Sequence, residues 1–197
     1  MKTIRILLWG LLVLVAAGLG LLLLRQDASE PRSSTSISIG GPFTLTDTNG
    51  QTFASTALAG QPYAIFFGFT HCPDVCPTTL ARMVKLRRQL GARSEPFRIV
   101  FVTVDPERDT AAEVRNYLSL FPDSIIGLTG TQARIDHVKR QFGIFSQKVP
   151  DDAGGYTVDH SSGVLLFDRT GAFIATISPE ENDVAALAKL KRIAVAS

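Results

Sequence analysis

Residues 63–77, YAIFFGFTHCPDVCP, carry the strongest indication of the fold. It opens with a continuous apolar run, Tyr63–Phe69, which is typical of a strand buried on both faces of a sheet. Pro77 suits the first turn of a helix, because proline lacks the amide hydrogen that this turn would leave unpaired. The stretch therefore predicts a buried strand, a loop that carries two cysteines, and a helix that reaches about Leu90.

The rest of the chain alternates between predicted strands and helices. Strands are predicted over Phe43–Asp47, Thr52–Ala54, Phe97–Val104, Ser124–Leu128, Gly163–Asp168 and Ala172–Ile177, and helices over 110–121, Thr131–Phe142 and 180–193. Asn-Gly at 49–50 and Arg-Thr-Gly at 169–171 predict hairpin turns. Residues 146–158 form a polar, glycine-rich stretch with no predicted element.

This order of elements predicts an α/β domain with a mixed sheet and helices on both faces. A cysteine pair between the first central strand and its following helix is the thioredoxin arrangement. The prediction is therefore a thioredoxin-like fold with an added N-terminal hairpin, and with residues 131–160 as an insertion before the C-terminal hairpin.

An uncharged, mostly apolar run of 19 residues, Ile6–Leu24, precedes the domain. As a helix it would be about 28 Å long, close to the hydrocarbon thickness of a bilayer. Lys2 and Arg5 stand before it, so the positive-inside rule places the N-terminus in the cytoplasm. The alternative is a cleaved signal peptide, whose apolar region is usually shorter, about 7–15 residues. The length favours a retained single transmembrane helix.

Three regions follow from this interpretation. Residues 1–24 would be the cytoplasmic N-terminus and anchor, residues 25–41 a flexible tether rich in Ser, Thr and Gly, and residues 42–197 the folded domain. The expected location is a bacterial inner membrane, crossed once, with the C-terminal domain in the periplasm.

The charge balance argues against nucleic acid as a partner. The chain has 20 Lys and Arg against 18 Asp and Glu, whereas nucleic-acid binding requires a concentrated basic face. The nearest basic cluster, Arg82, Lys85, Arg87 and Arg88, falls on one predicted helix, where exposed charge is the norm. We expect it to be a solvated helix face.

Cys72 and Cys76 are the two cysteines of the chain, and three residues separate them. A domain of this size folds without disulfides, so a close pair points to metal binding or redox chemistry. Cys76 falls at a predicted helix N-terminus, where the helix dipole favours thiolate. Two thiolates prefer copper(I) or zinc as the bound ion. A structural zinc site takes four protein ligands, which makes it the weaker alternative here. For either ion a third donor must come from elsewhere in the chain. A disulfide across the loop remains an alternative.

The third donor is sought among three histidines. His160 precedes a predicted strand of the sheet, on a loop expected to reach over the cysteine pair, but the residues alone leave it open between a ligand and a hydrogen-bonded loop histidine. His71 is expected to point away from the site, and His137 to lie on a helix surface. Asp105 ends a predicted strand on the same sheet edge, so it is a group that supports the ligands, a turn carboxylate, or a partner of Arg108.

Three longer motifs run through these positions: GFTHCPDVCP at 68–77, VDPERDT at 104–110 and VDHS at 158–161. In them the chain resembles the Sco/SenC family of copper proteins required to assemble cytochrome c oxidase. The resemblance extends from about residue 39 to the end of the chain. It implies a thioredoxin fold, copper as Cu(I) or Cu(II) bound by Cys72, Cys76 and His160, and Asp105 near the site.

The resemblance implies a copper metallochaperone that delivers to the binuclear copper site of an oxidase subunit. The expected partners are that subunit, a thiol reductant of thioredoxin type, and a further copper chaperone. Two alternatives stay open: a thiol–disulfide reductase that keeps the oxidase cysteines reduced, and a redox or copper sensor. An enzymatic activity of the cysteine pair is therefore undecided at this point. A reductase has no need of His160, so this residue separates the two main hypotheses.

Overall fold

The computed structural model describes residues 39–91, 96–151 and 154–195, and a few positions between 9 and 19. The chain divides into two compact units, residues 1–37 and 38–197. Within the part that is described, no helix has the length and apolar character needed to span a bilayer. Most of the predicted anchor and tether lies outside the described residues.

The folded domain contains nine strands and four α-helices within the described ranges. The strands are β1 Thr44–Asp47, β2 Thr52–Ala54, β3 Tyr63–Gly68, β4 Arg98–Thr103, β5 Ile126–Thr129, β6 Ser146–Pro150, β7 Tyr156–His160, β8 Val164–Phe167 and β9 Phe173–Ile177. The helices are α1 Val75–Leu90, α2 Ala111–Leu118, α3 Gln132–Phe142 and α4 Asp183–Val195.

Seven strands form one mixed sheet in the order β2-β1-β5-β4-β3-β8-β9. The three central strands β3, β4 and β5 run parallel, and the strands outside them pair antiparallel. Every residue of β3 is buried, as its apolar run predicts. The parallel strands end at one edge of the sheet. The segment that leaves β3 there carries Cys72 in a loop and Cys76 in the first turn of α1.

Helices cover both faces of the sheet, which confirms the predicted architecture. Side chains of a strand alternate between faces, so Phe66 and Gly68 point one way and Phe67 the other. A methyl group on Gly68 would meet Cys76 of α1, whereas the ring of Phe67 lies 5.5 Å from that of Phe142 in α3. The two helices therefore pack on opposite faces.

The added N-terminal hairpin joins the main sheet, because β1 pairs with β5 as well as with β2. The prediction for residues 146–158 was wrong. This stretch is not irregular: β6 and β7 form a separate antiparallel hairpin in which Ser146 is opposite His160. His160 is consequently the last residue of a strand and does not lie on a loop.

The basic cluster on α1 is only partly the solvated face that the sequence predicts, since Lys85 and Arg88 are exposed but Arg87 is buried. Arg87 is 2% exposed, and its Nη2 lies 2.8 Å from Asp123 Oδ1. Arg82 and Lys85 both pair with Asp183 of α4, at 2.9 Å in each case. These three basic side chains join α1 to Asp123 and to Asp183 of α4. Both aspartates are distant from α1 in the sequence, so the pairing could not be predicted from the helix alone.

Candidate metal centre

The described residues contain one Cys–Cys–His group with the geometry to hold a metal ion. One donor atom from each of Cys72, Cys76 and His160 lies within 4.8 Å of the others. Cys76 Sγ is 3.5 Å from His160 Nε2, although the two residues are 84 positions apart in the sequence. The fold thus brings the distant imidazole to the two sulfur atoms.

The positions of the two sulfur atoms follow from the path of the chain between β3 and α1. Cys72 is half-buried in the loop after β3, and Cys76 is the buried second residue of α1. The backbone amide of Cys76 donates to Cys72 Sγ at 3.5 Å. The first helical turn therefore directs an otherwise unpaired amide at the sulfur of the preceding loop. Both thiols are free in this structure.

Gly68, at the end of β3, makes room for the buried sulfur. A Cβ atom built there would lie 2.8 Å from Cys76 Sγ and 2.9 Å from Phe66 Cε1. Contacts this short force the neighbouring atoms to move. The glycine in the apolar run thus lets α1 approach the strand closely enough to place Cys76 over it.

The hydrogen bonds of His160 leave the correct nitrogen available. Its Nδ1 lies 2.9 Å from the carbonyl oxygen of Ser161. Because a carbonyl oxygen only accepts, the bond places the proton on Nδ1 and the lone pair on Nε2, which faces Cys76. The rings of Phe66 and Phe69 pack edge-on against the imidazole, with centroids 6.0 and 5.8 Å away. The ring is therefore fixed in tautomer and in orientation.

Burial raises the pKa of the Cys76 thiol well above its ordinary value, and the nearby Cys72 and Asp109 raise it further. This result corrects the prediction that the helix N-terminus favours thiolate at Cys76. The helix dipole contributes a modest stabilisation, whereas removal of the sulfur from water disfavours the charged form more strongly. In the metal-free protein Cys76 holds its proton, and a metal ion has to displace it.

Asp109 is a residue of the site region that sequence reasoning did not identify. Its side chain is fully buried and accepts three hydrogen bonds, from Thr70 N at 3.0 Å, Thr70 Oγ1 at 2.7 Å and Thr103 Oγ1 at 2.6 Å. Its carbonyl oxygen accepts from Thr129 Oγ1 at 2.7 Å. Asp109 therefore joins the ends of β3, β4 and β5 directly beneath the cysteine loop. Its presence in the VDPERDT motif was the available signal.

Asp105 is buried, and its carboxylate accepts hydrogen bonds from Arg108 and Tyr156. Arg108 Nε donates to Asp105 Oδ2 at 2.5 Å, and the Tyr156 hydroxyl donates to Oδ1 at 3.0 Å. Of the alternatives that the sequence left open for Asp105, the pairing with Arg108 is the one observed. The partnership with Tyr156 was not predicted, because it joins residues 51 positions apart.

The other sequence candidates lie outside the group of donors. His71 is about half exposed, and its Nδ1 lies 3.0 Å from Thr70 Oγ1. His137 is exposed on α3. Met83 of α1 is buried in the core. Neither histidine belongs to the Cys–Cys–His group.

The thioredoxin-like fold and the Cys–Cys–His group limit the kind of protein this chain can be. A thioredoxin-like domain that gathers two thiols and an imidazole at one edge of its sheet is a thiol-based metal-binding or redox protein. Residues 31–195 match the family model SCO1/SenC, and the chain belongs to this family. The resemblance inferred from the three sequence motifs is thereby confirmed.

Known relatives agree with this assignment. The SCO2-like protein of Rickettsia conorii is 41% identical over 140 residues, which are 70% of this chain and 68% of the relative. The copper-bound structure of Bradyrhizobium japonicum ScoI is 43% identical, with a TM-score of 0.72 over 79% of this chain and 99% of that one. BsSco, a Sco-family cytochrome c oxidase assembly protein with a disulfide switch, is 25% identical, with a TM-score of 0.64 over 81% and 95%.

Proposed function

We propose that this protein is a copper metallochaperone that binds copper through Cys72, Cys76 and His160 and delivers it to the binuclear copper site of cytochrome c oxidase. The observation that carries the proposal is the compact Cys–Cys–His group, with its donor atoms within 4.8 Å of one another. Copper-bound relatives and an oxidase-assembly relative support it.

The donor set suits copper(I). Thiolate is a soft ligand that selects copper(I), and imidazole is a common third donor for copper. Three protein ligands leave the ion open to a donor from the acceptor protein, so transfer by ligand exchange needs no free ion. Cys76 gives up its proton on loading, and His160 offers the lone pair of Nε2 without losing one.

The position of His160 favours the chaperone over the thiol–disulfide reductase. A reductase needs only the two cysteines, whereas three-coordinate copper needs a third donor, and His160 Nε2 lies 3.5 Å from Cys76 Sγ in a fixed tautomer. Copper loading requires both thiols to be reduced, so a thiol reductant of thioredoxin type is a partner in the proposal. Another copper chaperone is the source of the ion.

X-ray absorption on the copper(I)-loaded full-length protein tests the ligand set. We expect two sulfur donors and one nitrogen donor per copper, because the three donors converge on one position. A matched His137→Ala variant, which alters an exposed histidine of α3, should give the same spectrum. Two sulfur donors without nitrogen in the wild-type protein would remove the basis for the chaperone.

We also propose that Ile6–Leu24 anchors the domain to a bacterial inner membrane, with residues 42–197 in the periplasm, because its length and the preceding Lys2 and Arg5 fit an anchor. Alkaline carbonate should leave the full chain in the membrane pellet and release a chain that lacks residues 1–24. Added protease should digest the domain in spheroplasts and spare it in intact cells. A mature protein whose N-terminus follows Leu24 would identify a cleaved signal peptide instead.

A further inference from the structure

The strand that supplies His160 is attached to the domain through its own inward face. Along β7, Tyr156 and His160 are half-buried and Val158 is buried, whereas Thr157 and Asp159 are exposed. Alternate residues of a strand share a face, so Tyr156 and His160 both point toward the domain. Since β6 and β7 form a two-stranded sheet of their own, side-chain contacts rather than ladder bonds hold this face in place.

Tyr156 is held by the segment between β4 and α2. Its hydroxyl donates to both oxygens of the buried Asp105 carboxylate, at 3.0 and 3.3 Å. Arg108 Nη1 donates to the Tyr156 carbonyl oxygen at 2.9 Å, and the guanidinium lies 3.8 Å from the centre of the Tyr156 ring. Asp105 and Arg108 also bond each other, so three groups close a ring of contacts. Such charge-assisted bonds are the stronger kind of hydrogen bond.

Further contacts connect the segment between β4 and α2 to the β6–β7 hairpin and to His160. Lys148 of β6 bonds Glu107 Oε2 at 2.5 Å and lies 4.5 Å from the centre of the Tyr156 ring. Arg108 also lies 5.7 Å from the centre of the Phe69 ring, which packs edge-on against His160. The contacts of Tyr156 and Arg108 are therefore continuous with those that orient the imidazole.

We propose that Tyr156, Arg108 and Asp105 form a latch that holds the β6–β7 hairpin against the domain and thereby keeps His160 beside Cys76. The latch acts on the ion only through His160, so these three are positioning residues for the site. It sets how long bound copper keeps its nitrogen ligand: when the latch opens, the hairpin carries His160 away and two sulfur ligands remain. This inference rests on the proposed function, because it concerns the same metal site.

The test compares the latch variants Tyr156→Phe and Arg108→Gln with the wild-type chain and with the control variant Tyr63→Phe. Tyr156→Phe keeps the ring beside Arg108 and removes one hydroxyl. Tyr63→Phe also removes one phenolic hydroxyl, but from the first residue of β3, at the end of the strand away from the cysteines. Copper(I) capture by excess bathocuproine disulfonate is timed in all four full-length proteins. We expect both latch variants to load fully and to release copper at least about tenfold faster, the least that one hydrogen bond to a charged group is worth. Tyr63→Phe should match the wild type.

A second measurement needs no metal. Amide hydrogen exchange should rise along β6 and β7 in both latch variants and stay unchanged in α1, whereas a general loss of stability would raise exchange throughout. Release at the wild-type rate in both latch variants would overturn the latch and leave the chaperone untouched. A wild-type protein without a nitrogen donor would instead overturn the chaperone, and the latch with it.

Discussion

Replacing His160 by alanine is expected to lower the copper(I) affinity of this protein by more than about 100-fold, since loss of a group that merely supports a ligand already costs about 10–100-fold. The imidazole is one of three donors within 4.8 Å, and no other histidine belongs to the group among the residues described. Competition with a chromogenic copper(I) chelator measures the affinity. His137→Ala is the matched control.

The same variant separates the two main functions. The midpoint potential of the Cys72–Cys76 couple should stay within about 30 mV of the wild type, because the imidazole touches the pair only through one weak S–H contact of 3.5 Å. Equilibration against glutathione buffers measures it. Wild-type copper affinity in His160→Ala would favour the thiol–disulfide reductase over the chaperone.

Asp109→Ala is expected to destabilise the domain by about 3–5 kcal/mol. Hydrogen bonds to a charged group are worth about 1.5–3 kcal/mol each, and this substitution leaves three buried or half-buried donors of Thr70 and Thr103 without their acceptor. The three bonds share one carboxylate, so their contributions do not add fully. Urea unfolding of the metal-free protein measures the change.

Two further substitutions make this result specific. Asp109→Asn keeps one acceptor oxygen and should lose less stability than alanine. Asp136→Ala removes a partly exposed carboxylate of α3 that pairs with Lys139, and should cost less than about 1 kcal/mol. A loss below about 1 kcal/mol in Asp109→Ala would show that the carboxylate does not hold the ends of β3 and β4 together.

Local patterns in the sequence account for most of the central sheet. The apolar run over residues 63–69 forms β3, and the helix predicted from residue 110 begins there, where Thr110 accepts a hydrogen bond from the Glu113 amide. The β6–β7 hairpin was missed because its strands are short and largely polar. The alternation of Tyr156, Val158 and His160 with exposed residues was the signal. An alternation that extends over only five residues is weak evidence on its own.

The electrostatic features of the site could not be read from the sequence. Arg87 is buried because Asp123 lies against it, and Asp109 because Thr70 and Thr103 donate to it. For Cys76 the local rule of the helix N-terminus gave the wrong direction of the pKa shift. Burial depends on every element packed around a sulfur atom, whereas the helix rule considers one element alone.

The fold class, the cysteine pair and the three family motifs follow from residue types and their spacing along the chain, whereas His160 entered as the third donor only through the resemblance to the Sco/SenC family. The folded domain then places His160 at the end of a strand with Nε2 facing Cys76, raises the pKa of the Cys76 thiol by burial, and bonds Asp105 to Tyr156. These properties depend on distances between segments that are far apart in the sequence. Only the packing of the folded domain sets such distances.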